Sequence, residues 1–276
     1  MTSAVPAAPG ADSAIVVPAY DPPEGFVRYL ASLREACPSP AIVLVDDGSR
    51  SEAAETFREC LSRVPGTTLL SHRVNRGKGC ALKTAFSHLL SVRPGLKGCV
   101  TCDCDGQHAP EDVARCLAAL DAEPGALVLG CRSFARAGVP WKSRMGNRTM
   151  RILFRLATGR DFSDTQTGLR AVPAGFMREL LGCPGERFEF ETRMLLRLGT
   201  RKLVQLPVRT LYADGNRATH FRPLADSLSV VSVVFAESAA RFARRIASFL
   251  PGASGASRAA GGHAEGAAPD GGKETV

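Results

Sequence analysis

The chain has 276 residues, 45% of them hydrophobic, with a formal net charge of +8. That length bounds the fold to one large α/β domain or two small ones, and no apolar run approaches the roughly 18 residues of a membrane span. The basic balance suits an anionic partner (a phosphorylated substrate, an acidic membrane surface or nucleic acid) or serves solubility alone.

Residues 1–12 read as a flexible lead-in; MTSAVPAAPGAD has neither the basic start nor the apolar stretch of a signal peptide. AIVVPAY (14–20) is a short apolar run that predicts a buried strand, and residues 24–36 carry Phe26, Tyr29, Leu30 and Leu33 at helical spacing. AIVLVDDGS (41–49) predicts a second buried strand, residues 51–63 a helix and TTLLSH (67–72) a third strand. GKGCALKTAFSHLLSV (77–92) reads as a helix, GCVTCDCDG (98–106) as a strand running into acids, and 110–122 as a helix with Pro110 in its first turn. ALVLGCR (126–132) closes the regular alternation as a fifth strand. The second half is less regular: a basic amphipathic helix over 141–158, a short helix over 188–198, a strand at LVQLPVRTLY (203–212) and a long amphipathic helix over 224–249. From about Pro251 the chain turns to Gly, Ala and Ser, so the expected organisation is a lead-in (1–12), one domain (13–250) and a disordered tail (251–276). The β-α-β-α order predicts a mostly parallel sheet covered by helices on both faces.

Ligands of such sheets bind outside the carboxyl ends of the strands, where the polar motifs of this chain fall. In Asp103-Cys104-Asp105, strand alternation predicts two carboxylates on one face. Such a pair calls for a neutralising cation, which a Mg²⁺ or Mn²⁺ ion shared with a substrate diphosphate supplies, with the Gln107 amide as a further oxygen. Asp46-Asp47-Gly48-Ser49 offers carboxylates to a base or ribose, and Gly48 permits a tight turn; Ser49 or Ser51 also suits a helix N-cap. Asn75-Arg76-Gly77-Lys78-Gly79 precedes a helix and suits an anion. A GxxxxGK[ST] loop and a GxGxxG after the first strand are both missing, which argues against an ATPase and a dehydrogenase. The nine cysteines are odd in number and read as small buried hydrophobes in a reducing compartment.

Taken in order, AIVVPAYDPPEG, VLVDDGS, NRGKGCALKTAF, CDCDGQH, GCR and DTQTGLRAV resemble the motif series of the family 2 glycosyltransferases of the GT-A fold. Within them, the chain is similar to the dolichol-phosphate mannosyltransferase and polyprenyl-phosphate glycosyltransferase branch over roughly residues 13–235. The resemblance implies a metal-dependent, inverting transfer from a GDP-mannose or UDP-glucose type of donor to a polyprenyl or dolichyl phosphate. Alternatives are a saccharide or protein acceptor, or donor binding without turnover. Pro18, Ala19, Tyr20, Glu24, Asp46, Asp47, Gly48, Lys78 and Cys104 would then line the nucleotide-sugar pocket. Asp103, Asp105 and Gln107 would hold Mg²⁺ or Mn²⁺. Arg132 and Arg144 would grip the acceptor phosphate, a task that suits the planar fork of arginine. Asp164, with Asp105 and Arg132, would form the catalytic centre. A loop over 215–222 would close on the phosphates, with Arg217 and His220 toward the donor and Arg222 toward the acceptor. The same resemblance implies a cytoplasmic protein, peripheral on the cytoplasmic face of a membrane, with no nucleic-acid partner. The helix over 224–249 would lie on that membrane or pack against the core, a second copy or a membrane partner protein.

Overall fold

The computed structural model describes residues 10–132 and 141–209, and positions 232 and 234. These residues lie in one compact unit. The expected loop at 215–222, nearly all of the helix over 224–249 and the tail fall outside them.

Seven strands form one sheet: β1 (Ser13–Ala19), β2 (Ala41–Asp46), β3 (Thr67–Ser71), β4 (Gly98–Thr101), β5 (Leu127–Arg132), β6 (Arg170–Pro173) and β7 (Leu203–Val208). The order across the sheet is β3-β2-β1-β4-β6-β5-β7. Six strands run one way, and β6 runs against β4 and β5. The helices are α1 (Phe26–Ala36), α2 (Ala54–Arg63), α3 (Lys78–Val92), α4 (Pro110–Ala122), α5 (Trp141–Thr158), α6 (Ala174–Leu181) and α7 (Glu189–Leu196).

Strand alternation divides the core into two layers. Val16, Val43, Val45, Leu127, Leu129 and Val172 point to one face, where they meet Phe86 of α3, Phe154 of α5, Phe176 of α6 and Phe190 of α7. Ile15, Val17, Ile42, Leu44, Val100 and Val128 point to the other, against Phe26 and Leu30 of α1, Phe57 of α2 and Leu117 of α4. Both faces are covered, and the near-continuous apolar strands require this: β1 and β4 have no exposed position.

The five strands of the regular alternation, the strand at 203 and the helices over 26–158 match their expected positions to within a few residues. β6 and α6 do not appear in the sequence reading. RAVP is four residues long and starts with an arginine, so it carries no strand period of its own; its pairing with β4 and β5 makes it a strand. Residues 10–12 at the end of the expected lead-in are pinned: the Gly10 N–H donates to Asp121 Oδ2 at 2.7 Å and the Lys97 N–H to the Asp12 carbonyl at 2.8 Å.

Candidate functional site

β4 ends at Thr101, where its pairing with β6 reaches Arg170. The Cys102 N–H still donates to the Val16 carbonyl at 3.1 Å, and there the chain leaves the sheet. Asp103 and Asp105 therefore lie in a turn, and the same-face argument from strand alternation does not apply to them. Gly106 takes φ 74°, the left-handed conformation that glycine adopts without a Cβ clash. Asp105 Oδ1 accepts the Gln107 N–H at 3.0 Å, which closes the turn and leaves a half-buried carboxylate at its edge.

Asp103 is shared among elements far apart in sequence. Lys78 Nζ lies 2.6 Å from its Oδ1, and His108 Nε2 lies 3.2 Å from its Oδ2. Lys78 also reaches Glu191 Oε2 of α7 at 2.9 Å. Burial alone would raise the Asp103 carboxyl, but the Lys78 ammonium and the His108 hydrogen bond outweigh it and hold its pKa well below the usual carboxylate range. Burial would likewise lower Lys78, and the Asp103 and Glu191 carboxylates hold it above the ordinary lysine value instead. Asp105 behaves in the opposite way: burial, then the negative charge of Asp103, raise its pKa above the ordinary value. One carboxylate is thus locked in its ionised form and its neighbour is short of positive charge.

The segment DTQTG packs directly on this pair. The Gly168 carbonyl accepts the Thr101 hydroxyl at 2.9 Å. A Cβ at Gly168 would overlap Asp103 Oδ2 and stand 2.7 Å from its Cγ. Asp164 is fully buried. Its Oδ2 accepts Arg132 Nε at 2.7 Å, and its Oδ1 accepts Arg132 Nη2 at 3.2 Å and the Gln166 N–H at 3.0 Å. The carboxylate expected at the catalytic centre is thus paired with Arg132, which was expected there with it. Arg170, 1% exposed, staples the same segment to α7: its Nε donates to the Thr167 carbonyl at 2.8 Å and its Nη1 to the Glu191 carbonyl at 2.7 Å.

A second group of motifs lies at the ends of β1 and β2. Pro18 and Ala19 are buried in β1, Tyr20 is half-buried and Glu24 is exposed. Asp46 Oδ1 accepts the Ser49 N–H at 2.8 Å. Asp47 is consumed internally: it accepts His72 Nδ1 at 2.7 Å and the N–H groups of Arg76 and Gly77 at 3.0 and 2.7 Å. The anion that the Asn75–Gly79 loop was expected to bind is, for these two N–H groups, the protein's own Asp47. Gly48, at φ 72°, lets the two loops touch, because a Cβ there would stand 2.7 Å from the Val74 Cα. Lys78, next along this loop, pairs with Asp103.

A small open cleft is lined by Asp103, Gln107, His108, Arg132, Gln166, Gly168 and Arg209. Cys104 is half-buried, and burial pushes its thiol up to about 12. Arg144 lies on α5 with its side chain outside the described residues, as are Arg217, His220 and Arg222. His108, Glu191, Arg170 and Arg209 were not singled out in the sequence as site residues. His108 stands within the quoted CDCDGQH and Arg170 within DTQTGLRAV, so for these two the signal is membership of a motif. Among the described residues no three His, Cys, Asp or Glu side chains converge as a metal cage. Asp103, Gln107 and Gln166 bring side-chain oxygens to the cleft, and Asp105 accepts the Gln107 N–H beside it.

Three comparisons bear on this arrangement. The family model described as Glycosyl transferase family 2 matches residues 14–183. The chain is 31% identical to an undecaprenyl-phosphate 4-deoxy-4-formamido-L-arabinose transferase of Edwardsiella ictaluri, over 71% of this chain and 58% of that one. It is 30% identical to a polyprenol monophosphomannose synthase of Mycolicibacterium smegmatis, over 60% of this chain and 62% of that one. The chain therefore spans about three-fifths of the length of these two relatives. Among solved structures, the mannosyltransferase PcManGT from Pyrobaculum calidifontis, in complex with GDP-Man and Mn²⁺, superposes with a TM-score of 0.52 at 18% identity. That match covers 87% of this chain and 82% of that one, and it is a likeness of fold.

Proposed function

Because the chain belongs to glycosyl transferase family 2, we propose that it transfers a sugar from a nucleoside-diphosphate donor to a polyprenyl phosphate, with inversion at the anomeric carbon. The observation that carries this reading is the juxtaposition of two unlike groups in one cleft. Asp103 lines the cleft, with Asp105 beside it in the same turn, and Arg132, oriented by Asp164, lines the same cleft. An acidic edge suits a cation-bearing diphosphate and a held guanidinium suits a second phosphate. Two similar chains bear undecaprenyl-phosphate and polyprenol in their names, which supports the lipid class of acceptor. The donor sugar is proposed as a GDP-mannose or UDP-glucose type.

The residues fit a hard divalent ion. Asp105 is a carboxylate whose pKa is raised by burial and then by the neighbouring negative charge of Asp103, and a cation relieves that penalty. With two carboxylates and an amide, the protein leaves coordination positions for phosphate oxygens, as Mg²⁺ and Mn²⁺ sites commonly do. When bound, such an ion offsets charge developing on the departing diphosphate. Lys78 keeps Asp103 ionised and fixed for this role. Arg132 orients the acceptor phosphate, which is largely ionised near neutral pH (second pKa about 6) and needs positioning more than a general base. Asp164 is a positioning residue, and Asp46 is the carboxylate available to a ribose or base, since Asp47 is engaged with the loop.

The test is to incubate the protein with Mn²⁺ or Mg²⁺, labelled UDP- and GDP-sugars and a polyprenyl phosphate, and to follow label into the organic phase. Transfer is expected for one donor and should vanish in Asp105→Ala with folding intact. Label appearing only in a water-soluble saccharide would replace the lipid acceptor. Wild-type turnover by Asp105→Ala would refute the role given to the acidic pair.

A further inference from the structure

Among the described residues, three side chains able to carry positive charge line the cleft: His108, Arg132 and Arg209. Two of them are committed. His108 serves Asp103 at 3.2 Å, and Arg132 serves the fully buried Asp164 at 2.7 Å. Arg209 is held differently. Its backbone is fixed just past β7, because its N–H donates to Asp112 Oδ2 at 2.8 Å. Asp112 is buried, and Arg115 Nη1 links its Oδ1 at 2.8 Å to the Pro207 carbonyl at 2.9 Å. The Arg209 guanidinium pairs with Glu111 Oε2 at 3.1 Å, and these two side chains are 61% and 67% exposed. Water screens so exposed a pair, which therefore holds the arginine weakly. Glu111 is not stranded when the arginine leaves it. It stays in water in the first turn of α4, where the helix dipole favours a negative charge. A fixed backbone and a lightly held guanidinium leave Arg209 able to turn to an anion in the cleft.

We propose that Arg209 is the cation that balances the acceptor phosphate, drawn off Glu111 when that phosphate enters beside Arg132. The inference deepens the polyprenyl-phosphate reading and rests on it. Charge balance carries it. A phosphate monoester is close to a dianion near neutral pH. Arg132 can orient it through its planar fork, but the charge of Arg132 is already met by Asp164. On the proposed reading the donor diphosphate brings its own divalent ion, so the acceptor is the substrate short of a cation. Arg209 supplies one, because its present partner is a solvated carboxylate and not a buried one. Glu111 then competes with the phosphate for the guanidinium and sets the affinity for the acceptor.

The experiment is titration calorimetry of the full chain with a short-chain, water-soluble prenyl phosphate, without donor or metal, followed by transfer kinetics. Arg209→Gln is expected to weaken prenyl phosphate binding by about tenfold or more. Arg209→Lys should weaken it less, since an ammonium keeps the charge and loses the fork. Glu111→Gln should tighten it by up to about fivefold. In transfer assays the acceptor KM should move in the same directions, while the donor KM stays at the wild-type value. Both side chains are exposed, so thermal melts should stay close to wild type. Unchanged prenyl phosphate affinity in Arg209→Gln overturns the proposal, as does weaker binding in Glu111→Gln. A loss confined to donor binding also overturns it and assigns Arg209 to the donor diphosphate. The two readings fail separately. A wild-type chain that binds prenyl phosphate without needing Arg209 refutes this inference and leaves the acceptor class standing. A wild-type chain that binds no prenyl phosphate removes both.

Discussion

Arg132→Ala removes one member of a pair whose other member cannot reach water. Asp164 is 0% exposed, and Arg132 supplies two of its side-chain contacts, at 2.7 and 3.2 Å. Breaking a buried pair in this way costs about 3–5 kcal/mol, because the remaining charge is left desolvated. Two backbone N–H groups stay with the carboxylate, from Gln166 at 3.0 Å and from residue 132 at 3.3 Å. They offset about 1–2 kcal/mol. The net loss is then about 1–4 kcal/mol, which in a protein of this size lowers Tm by roughly 2–16 °C. Asp164→Asn should cost only about 1 kcal/mol, since the Arg132 guanidinium is 29% exposed and can hydrate. Adding Asp164→Asn to Arg132→Ala should therefore raise Tm, although the double variant has fewer polar contacts. Calorimetric melts of the wild type and the three variants measure the cycle. If Arg132→Ala melts within about 1 °C of wild type, or the double variant melts below it, the carboxylate is not stranded and the positioning role of Asp164 is wrong. In transfer assays Asp164→Asn should lower kcat by about 10²-fold, the effect of a catalytic-site group displaced by about 1 Å.

Gly168→Ala should displace the Asp103 carboxylate and cut transfer by about 10²-fold with little change in fold. Gly175→Ala on α6, whose Cβ would meet nothing within 4 Å, is the matched control and should be silent or slightly stabilising. The depressed pKa of Asp103 adds stability above the unfolded value of about 3.9, and that stability is lost as pH falls toward the folded value. Lys78→Met should shrink this acid-induced loss, as read from denaturant melts between neutral and acid pH. An identical acid slope would show that Lys78 does not hold the charge. Asp105 has a raised pKa, so Mn²⁺ affinity should decline on acidification through a value above 3.9, the ordinary aspartate pKa. Titration calorimetry at several pH values tests this, and a flat profile would sink it. The Cys104 thiol, pushed up to about 12 beside Asp103 and Asp105, should react slowly with a disulfide reagent at neutral pH in the native protein and rapidly once unfolded.

The legible part of the fold is the part governed by local pattern. β1, β2 and the helices α1, α3 and α4 announce themselves because buried parallel strands are apolar throughout and their helices keep a 3.6-residue period. β6 is different: it is a strand because β4 and β5 supply partners, and no period of four residues signals that. The Asp103-Cys104-Asp105 motif is visible as a pair of acids, yet its geometry is set by Gly106 and by the end of the β4–β6 pairing. Asp46 and Asp47 look equivalent in sequence. Their division of labour is decided by His72 and the Arg76 and Gly77 N–H groups, which reach Asp47 from 25 to 30 residues away. Glu191 reads as one acid in a core-forming helix until Lys78 arrives on it from α3.

These distant partners share one physical requirement. Two carboxylates brought together at the end of a sheet repel unless each is compensated, and the chain compensates them unequally. Asp103 receives Lys78 and His108, so it stays ionised and in place. At Asp105, burial and then the charge of Asp103 outweigh one backbone N–H and the more distant His108 and Lys78, so on the proposed reading it is the carboxylate a cation would compensate. Had Lys78 served both, the site would be electrically complete and indifferent to a metal–diphosphate. Glu191 prevents that by engaging the ammonium from the other side, 2.9 Å from its Oε2. Glu191→Gln should thus release Lys78 toward Asp105 and weaken Mn²⁺ binding in titration calorimetry, while Asp103 remains paired. Unchanged affinity in that variant would show that the shortfall of charge at Asp105 is not what recruits the ion.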